Sequence, residues 1–187
     1  GSTFKVVVAA AAIESGKYTE ASTLPNPATY QLPESTHVVS NANGGTCGPG
    51  TTVTIADALR LSCNVPFAEL AVKLGDKAIR EQAEKFGWNE SFDVPLTSTP
   101  SFYPPTLDDA QTAMSGFGQS DVRATPLQVA MVSAAIANEG VLMAPTMIDR
   151  VIAPDLTVQS ETVAAEIGRA VDKKTAETLV AMMIANV

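Results

Sequence analysis

The chain is poor in the residues that hold metals, with one histidine, His37, and two cysteines, Cys47 and Cys63, among 187 residues. It also lacks a Cys-x-x-Cys pair, so the sequence offers no metal-ligand spacing, and nothing in it calls for a cofactor. Lysine and arginine are scarce, 12 against 20 aspartates and glutamates, for a net charge of −8. That argues against nucleic acid as a partner, because its phosphates require clustered positive charge. Long apolar runs and internal repeats are missing too. The apolar stretch from Val6 is too short to cross a bilayer, which takes about 18 residues or more. Apolar content is ample, at 45% of residues, enough to enclose one core of ordinary single-domain size with no need of a second domain.

The first residues carry the chemistry. Gly1-Ser2-Thr3-Phe4-Lys5 runs directly into Val6-Val7-Val8-Ala9-Ala10-Ala11-Ala12-Ile13. A hydroxyl and an amine therefore lie three residues apart at the start of an expected helix and project from one face. Ser2 is the candidate nucleophile and Lys5 the candidate base. The unpaired N–H groups of a first helical turn favour negative charge developing at Ser2 by roughly 0.3–2 kcal/mol. Lys5 can accept a proton only if desolvation lowers its pKa from about 10.4 to about 7–8, and the Val and Ala residues behind it supply apolar surroundings. Taken alone the pair is ambiguous, since Gly-Ser is also what removal of an expression tag leaves, and Ser-x-x-Lys recurs by chance.

A second group, Ser62-Cys63-Asn64, follows the amphipathic segment 54–61 and precedes Val65-Pro66-Phe67, where the proline opposes continuation of the helix. Ser62 and Asn64 are thereby expected on a turn between helices. A hydroxyl there can relay protons, and a carboxamide can both donate to and accept from a substrate peptide bond. By itself, an ordinary Ser/Asn turn explains these residues better.

Together, and in this order, the two groups resemble the transpeptidase domain of class B penicillin-binding proteins, whose signature is Ser-x-x-Lys, Ser-x-Asn and then Lys-Thr/Ser-Gly. Ser115-Gly116-Phe117-Gly118-Gln119, Thr125-Pro126-Leu127-Gln128-Val129-Ala130 and Ala135-Ile136-Ala137-Asn138-Glu139-Gly140 extend the likeness. The pattern is nearest the actinobacterial penicillin-binding protein A type. One departure is Ser120, followed by Asp121, where family members commonly carry glycine.

A larger departure is that Lys-Thr-Gly and Lys-Ser-Gly occur nowhere. Lys174-Thr175-Ala176 is rejected as the third motif because it opens a helical pattern, whereas the motif needs an extended strand and a glycine. The resemblance implies an α/β, serine β-lactamase-like fold of which this chain supplies mainly the helical part. The strands of the central antiparallel sheet are then expected largely outside it. Residues 1–187 are read as one partial transpeptidase domain, from the nucleophile helix to the helix preceding the third motif.

Periodicity and caps predict helices over 2–13, 54–61, 66–74, 76–86, 107–114, 126–138 and 172–186. Thr125 is the expected N-cap of the sixth, with Pro126 at its first position. Gly75, Gly87 and Gly140 read as stops. A small hairpin is expected from 146–153 and 156–159, around Pro154-Asp155. Residues 17–52 read mostly as loop edging a cleft, and the proline-rich tract 99–105 as its counterpart on the opposite side, each weighed equally against a plain surface connection.

What the family implies for function is acyl transfer. Ser2 attacks the D-alanyl-D-alanine bond of a peptidoglycan stem peptide, Lys5 takes its proton, Ser62 passes one to the departing D-alanine, and Asn64 binds the donor amide. β-Lactams would then be covalent inhibitors. The protein would work on the extracytoplasmic side of the bacterial membrane, anchored by a segment absent from this chain, with other cell-wall synthesis proteins as further partners. In such a compartment disulfides persist, so Cys47 and Cys63 are expected to pair, against two separate thiols. β-Lactam-hydrolysing and β-lactam-sensing domains share the motifs, although the Glu-x-x-x-Asn of class A lactamases is not apparent. A non-catalytic helical interaction module is the remaining alternative, with Gly1-Ser2 as a remnant.

Overall fold

In the computed structural model, which describes residues 1–92, 94–96 and 98–186, the organising element is the helix that follows the first motif. A 3-10 turn, Ser2–Phe4, leads into α1, Lys5–Glu14. Every residue from Phe4 to Ala12 is buried. A helix apolar on all sides can only lie at the centre of a protein, and its four consecutive alanines let neighbours approach closely. Those neighbours are α2 (Ile55–Arg60), α3 (Val65–Leu74), α4 (Asp76–Lys85) and α7 (Lys173–Ile184). The remaining helices are α5, Asp109–Ser115, and α6, Pro126–Ala137.

Local capping explains several of the helix starts. Thr54 accepts from the Asp57 N–H at 3.0 Å and Thr125 from the Gln128 N–H at 3.1 Å. Asp108 and Gln111 form a reciprocal capping box at α5, which places its start at Asp109 rather than 107. Instead of an α-helix from residue 2, the chain begins with the tighter turn, whose three residues per turn set Ser2 directly over Lys5.

Eight short strands form four two-stranded antiparallel sheets among the described residues. Four of these strands lie in 17–54, more order than the loop expected there: β1 (Thr23–Pro25) pairs with β4 (Thr52–Thr54), and β2 (Thr29–Gln31) with β3 (Val38–Ser40). β5 (Val141–Met143) pairs with β8 (Glu166–Arg169), and between them projects the hairpin β6 (Arg150–Ile152) and β7 (Val158–Glu161). The expected hairpin is present with its second strand two residues later, because the turn closes from the Thr157 carbonyl to the Ala153 N–H. No larger sheet joins these pairs among the described residues.

The main core surrounds α1, and a smaller cluster of Leu32, Val39, Val65, Ala68, Ala113 and Phe117 holds the β2–β3 hairpin against α3 and α5. Burying Leu32 and Val39 contributes about 1.5–3 kcal/mol each. That packing delivers the end of β3 to the start of α3.

Candidate active site

Lys5 is the only fully buried charged side chain among the described residues, and the centre of the helical layer is where its backbone sits. Its Nζ reaches up the 3-10 turn to Ser2 Oγ at 3.0 Å and across to the α2–α3 turn. There it meets Ser62 Oγ at 3.1 Å, the Ser62 carbonyl at 2.7 Å and Asn64 Oδ1 at 2.9 Å. The structure thus brings Ser2, Lys5, Ser62 and Asn64 to one point. Burial pushes Lys5 down to about 8.

Four oxygens around one amine constrain how protons are shared. The Ser62 carbonyl and Asn64 Oδ1 only accept, whereas both hydroxyls can also donate. A neutral amine has two N–H groups and one lone pair, so donating to the two obligate acceptors leaves the lone pair for a hydroxyl. That arrangement is suited to removing a proton from Ser2.

The α2–α3 turn is strained and heavily tied. Ser62 has φ +55°, unusual for a residue with a side chain, which is the kind of backbone found where function dictates conformation. Cys63 is joined to Cys47 in a disulfide, with Cα atoms 5.7 Å apart. Asn26 grips Cys47 on both sides, accepting from its N–H at 2.8 Å and donating to its carbonyl at 3.0 Å. Residues 17–52 therefore bear directly on the second motif. Tract 99–105 does not edge the cleft with Ser2 and Ser62: Tyr103 is buried and stacks on Phe4 from behind, with Trp88 edge-on to the same ring at 5.4 Å. The cause is that Tyr103, unlike the exposed Phe102, finds a buried partner in the core.

Two glycines of the Ser115–Gln119 segment are explained by close approach. A Cβ on Gly118, at φ +73°, would overlap the Gly1 carbonyl, and one on Gly116 would overlap the Phe67 carbonyl. Gly118 thus backs the residue before Ser2. Ser120, in the place where glycine is common, has φ +60°. Sequence reading missed Gly118's contact and Asn41, a buried loop residue that bonds to the second motif; only their residue types, common in turns, were visible.

A cleft of about 330 Å³ opens over Ser2 and Ser62, lined also by Thr3, Val6, Leu59 and Met183. Among the described residues no His, Cys, Asp and Glu side chains are grouped to hold a metal ion, and no helix is long and apolar enough to cross a membrane.

Comparison with known proteins gives this geometry its lineage. The family model for the penicillin binding protein transpeptidase domain matches residues 1–187. Peptidoglycan D,D-transpeptidase PbpA of Mycolicibacterium smegmatis is 39% identical over 186 residues, covering 99% of this chain and 38% of that protein. The Mycobacterium tuberculosis protein of the same name is 38% identical over 185 residues, covering 98% of this chain and 38% of its own length. This chain therefore spans well under half of these relatives. The crystal structure of PBPA from M. tuberculosis superposes with a TM-score of 0.96 at 37% identity, covering 100% of this chain and 43% of that one. Its ceftriaxone acyl-enzyme complex gives the same TM-score and identity, with 42% of that chain covered. By sequence and by fold, the chain belongs to the penicillin-binding protein transpeptidase domain family.

Proposed function

We propose that the chain is the nucleophile-bearing part of a penicillin-sensitive D,D-transpeptidase that cross-links peptidoglycan through an acyl-serine. The observation that carries this reading is the placement of Lys5 Nζ between Ser2 Oγ, Ser62 Oγ and Asn64 Oδ1. Ser2 Oγ attacks the carbonyl carbon of the penultimate D-alanine as its proton passes to Lys5 Nζ. Collapse of the tetrahedral adduct breaks the C–N bond, and a proton delivered through Ser62 leaves with D-alanine. An amine of a second stem peptide then attacks the ester carbonyl carbon and gives up a proton through Ser62 to Lys5, the C–Oγ bond breaks, and Lys5 returns that proton to Ser2 Oγ. Asn64, whose Nδ2 and Oδ1 both lie at the turn, binds the donor amide, and the Ser2 N–H supplies part of the oxyanion site. The substrates are peptidoglycan stem peptides, β-lactams are substrate mimics that stay esterified, and the work is done outside the cytoplasmic membrane. The PbpA relatives are named for the same activity, and a PBPA relative is known as a ceftriaxone acyl-enzyme.

The test is intact-mass measurement of the complete parent protein with penicillin. One stable adduct per chain is expected, lost on Ser2→Ala. An adduct retained by Ser2→Ala removes Ser2 as nucleophile, and rapid release of opened penicillin would point instead to hydrolysis.

A further inference from the structure

Asn64 occupies the N-cap position of α3 but makes no side-chain cap bond. Its Oδ1 is committed to Lys5 at 2.9 Å, and its Nδ2 donates to the Ser40 carbonyl at 3.1 Å. The first donors of α3 are satisfied from outside, because Asn41 Oδ1 accepts from the N–H of Asn64 at 2.9 Å and of Val65 at 3.0 Å. Asn41 is itself 5% exposed, and its Nδ2 donates to the Gly45 carbonyl at 2.9 Å. Strand β3 ends one residue earlier, so the hairpin packed on α3 fixes where Asn41 stands.

Asn64 is poorly placed to cap α3 itself, since its backbone is helical at φ −85° and ψ −48° and Pro66 offers no N–H, yet buried N–H groups without acceptors are costly. Val65 is fully buried, so water cannot replace the missing partner. We infer that Asn41 is a positioning residue for acyl transfer: by holding the N–H groups of Asn64 and Val65, it fixes the backbone from which the Asn64 carboxamide reaches Lys5. This rests on the acyl-transfer reading above. Without Asn41 these two N–H groups have no acceptor, the start of α3 shifts to find one, and Lys5 loses the Asn64 oxygen, one of its two obligate acceptors.

The experiment measures the second-order rate constant for penicillin acylation of the complete protein at pH 9, above the Lys5 pKa of about 8. Asn41→Ala is expected to slow acylation about tenfold, the rate equivalent of leaving a buried N–H without its acceptor. The discriminating readout is the double variant. If Asn41 acts through Asn64, then Asn41→Ala adds no further loss to Asn64→Ala, whereas a residue that merely stabilises the fold would slow both backgrounds alike. Should Asn41→Ala not fold, Asn41→Ser, with a shorter acceptor, takes its place in the same cycle. A parental rate in the single variant, or losses that multiply in the double variant, overturns the inference alone. A parent protein that penicillin does not acylate overturns the acyl-transfer reading, and this inference with it.

Discussion

At pH 7 about one Lys5 side chain in ten is neutral, given a pKa of about 8, against about one in a few thousand for a solvated lysine. That difference makes the amine usable as a base, and it sets a pH signature. The acylation rate should rise about tenfold per pH unit from pH 6 and level off above about 8, because only the neutral fraction reacts. A flat profile from pH 6 to 9 in the complete protein would remove Lys5 as the base. The sign for stability follows from the same shift. Between about 8 and 10.5 the unfolded chain holds this proton and the folded one does not, so folding stability gains with rising pH across that window. Gly118 gives a second residue-level expectation. Gly118→Ala forces a methyl into the Gly1 carbonyl at a positive φ, and should cost about 1–3 kcal/mol and slow acylation. Parental melting and parental acylation together would contradict the contact. Of the residues gathered around the Lys5 amine, Ser2, Lys5, Ser62 and Asn64 were legible because two short-spaced pairs, each ambiguous alone, occur together in the order of a known family's motifs. Asn41 and Gly118 were not, since their partners lie 23 and 117 residues away and their residue types announce only a turn.

Helices were legible to the extent that their caps are local. Thr125, read as a cap, and Thr54 and Asp108, read as helical, each bond within three residues, and the helices expected from 54, 107 and 126 start within two residues of those observed. α7 is different, because its N-cap Asp172 makes no side-chain cap bond and the acceptor arrives from the far end of α1. Glu14 Oε1 takes the Asp172 N–H at 3.2 Å and the Thr175 hydroxyl, a contact spanning 158 residues of sequence for the first. It ties the two ends of the helical layer together. Glu14→Ala should lower stability by about 1 kcal/mol, and Glu14→Gln, which keeps an acceptor, by less than half of that. Equal urea midpoints for all three proteins would show that Glu14 caps nothing. The strands of residues 17–54 escaped sequence reading for a related reason: three-residue strands have no room for a readable alternation, and β1 finds β4 some thirty residues on.

At the scale of the molecule, two bodies of structure meet at the second motif: a helical core around α1, and a loop layer of paired short strands from 17 to 54. The core is specified by composition, since an all-apolar helix must be surrounded. The loop layer has little apolar burial of its own, and its attachment near the site runs through Leu32 and Val39, Asn41, and the Cys47–Cys63 disulfide, which closes a sixteen-residue separation. In the chain-entropy view such a closure stabilises by about 3 kcal/mol. Removing it with Cys47→Ser and Cys63→Ser together should therefore lower the unfolding free energy by about that amount without dismantling the helical core. Acylation should be slowed but retained, because Asn41 and the Ser40 carbonyl still hold the turn at Asn64. The measurement is urea unfolding of the parent and double variant under non-reducing conditions, with penicillin acylation read alongside. An unchanged midpoint would mean that the disulfide constrains nothing in the unfolded chain. A complete loss of acylation with the fold intact would mean that it, rather than Asn41, holds the second motif in place.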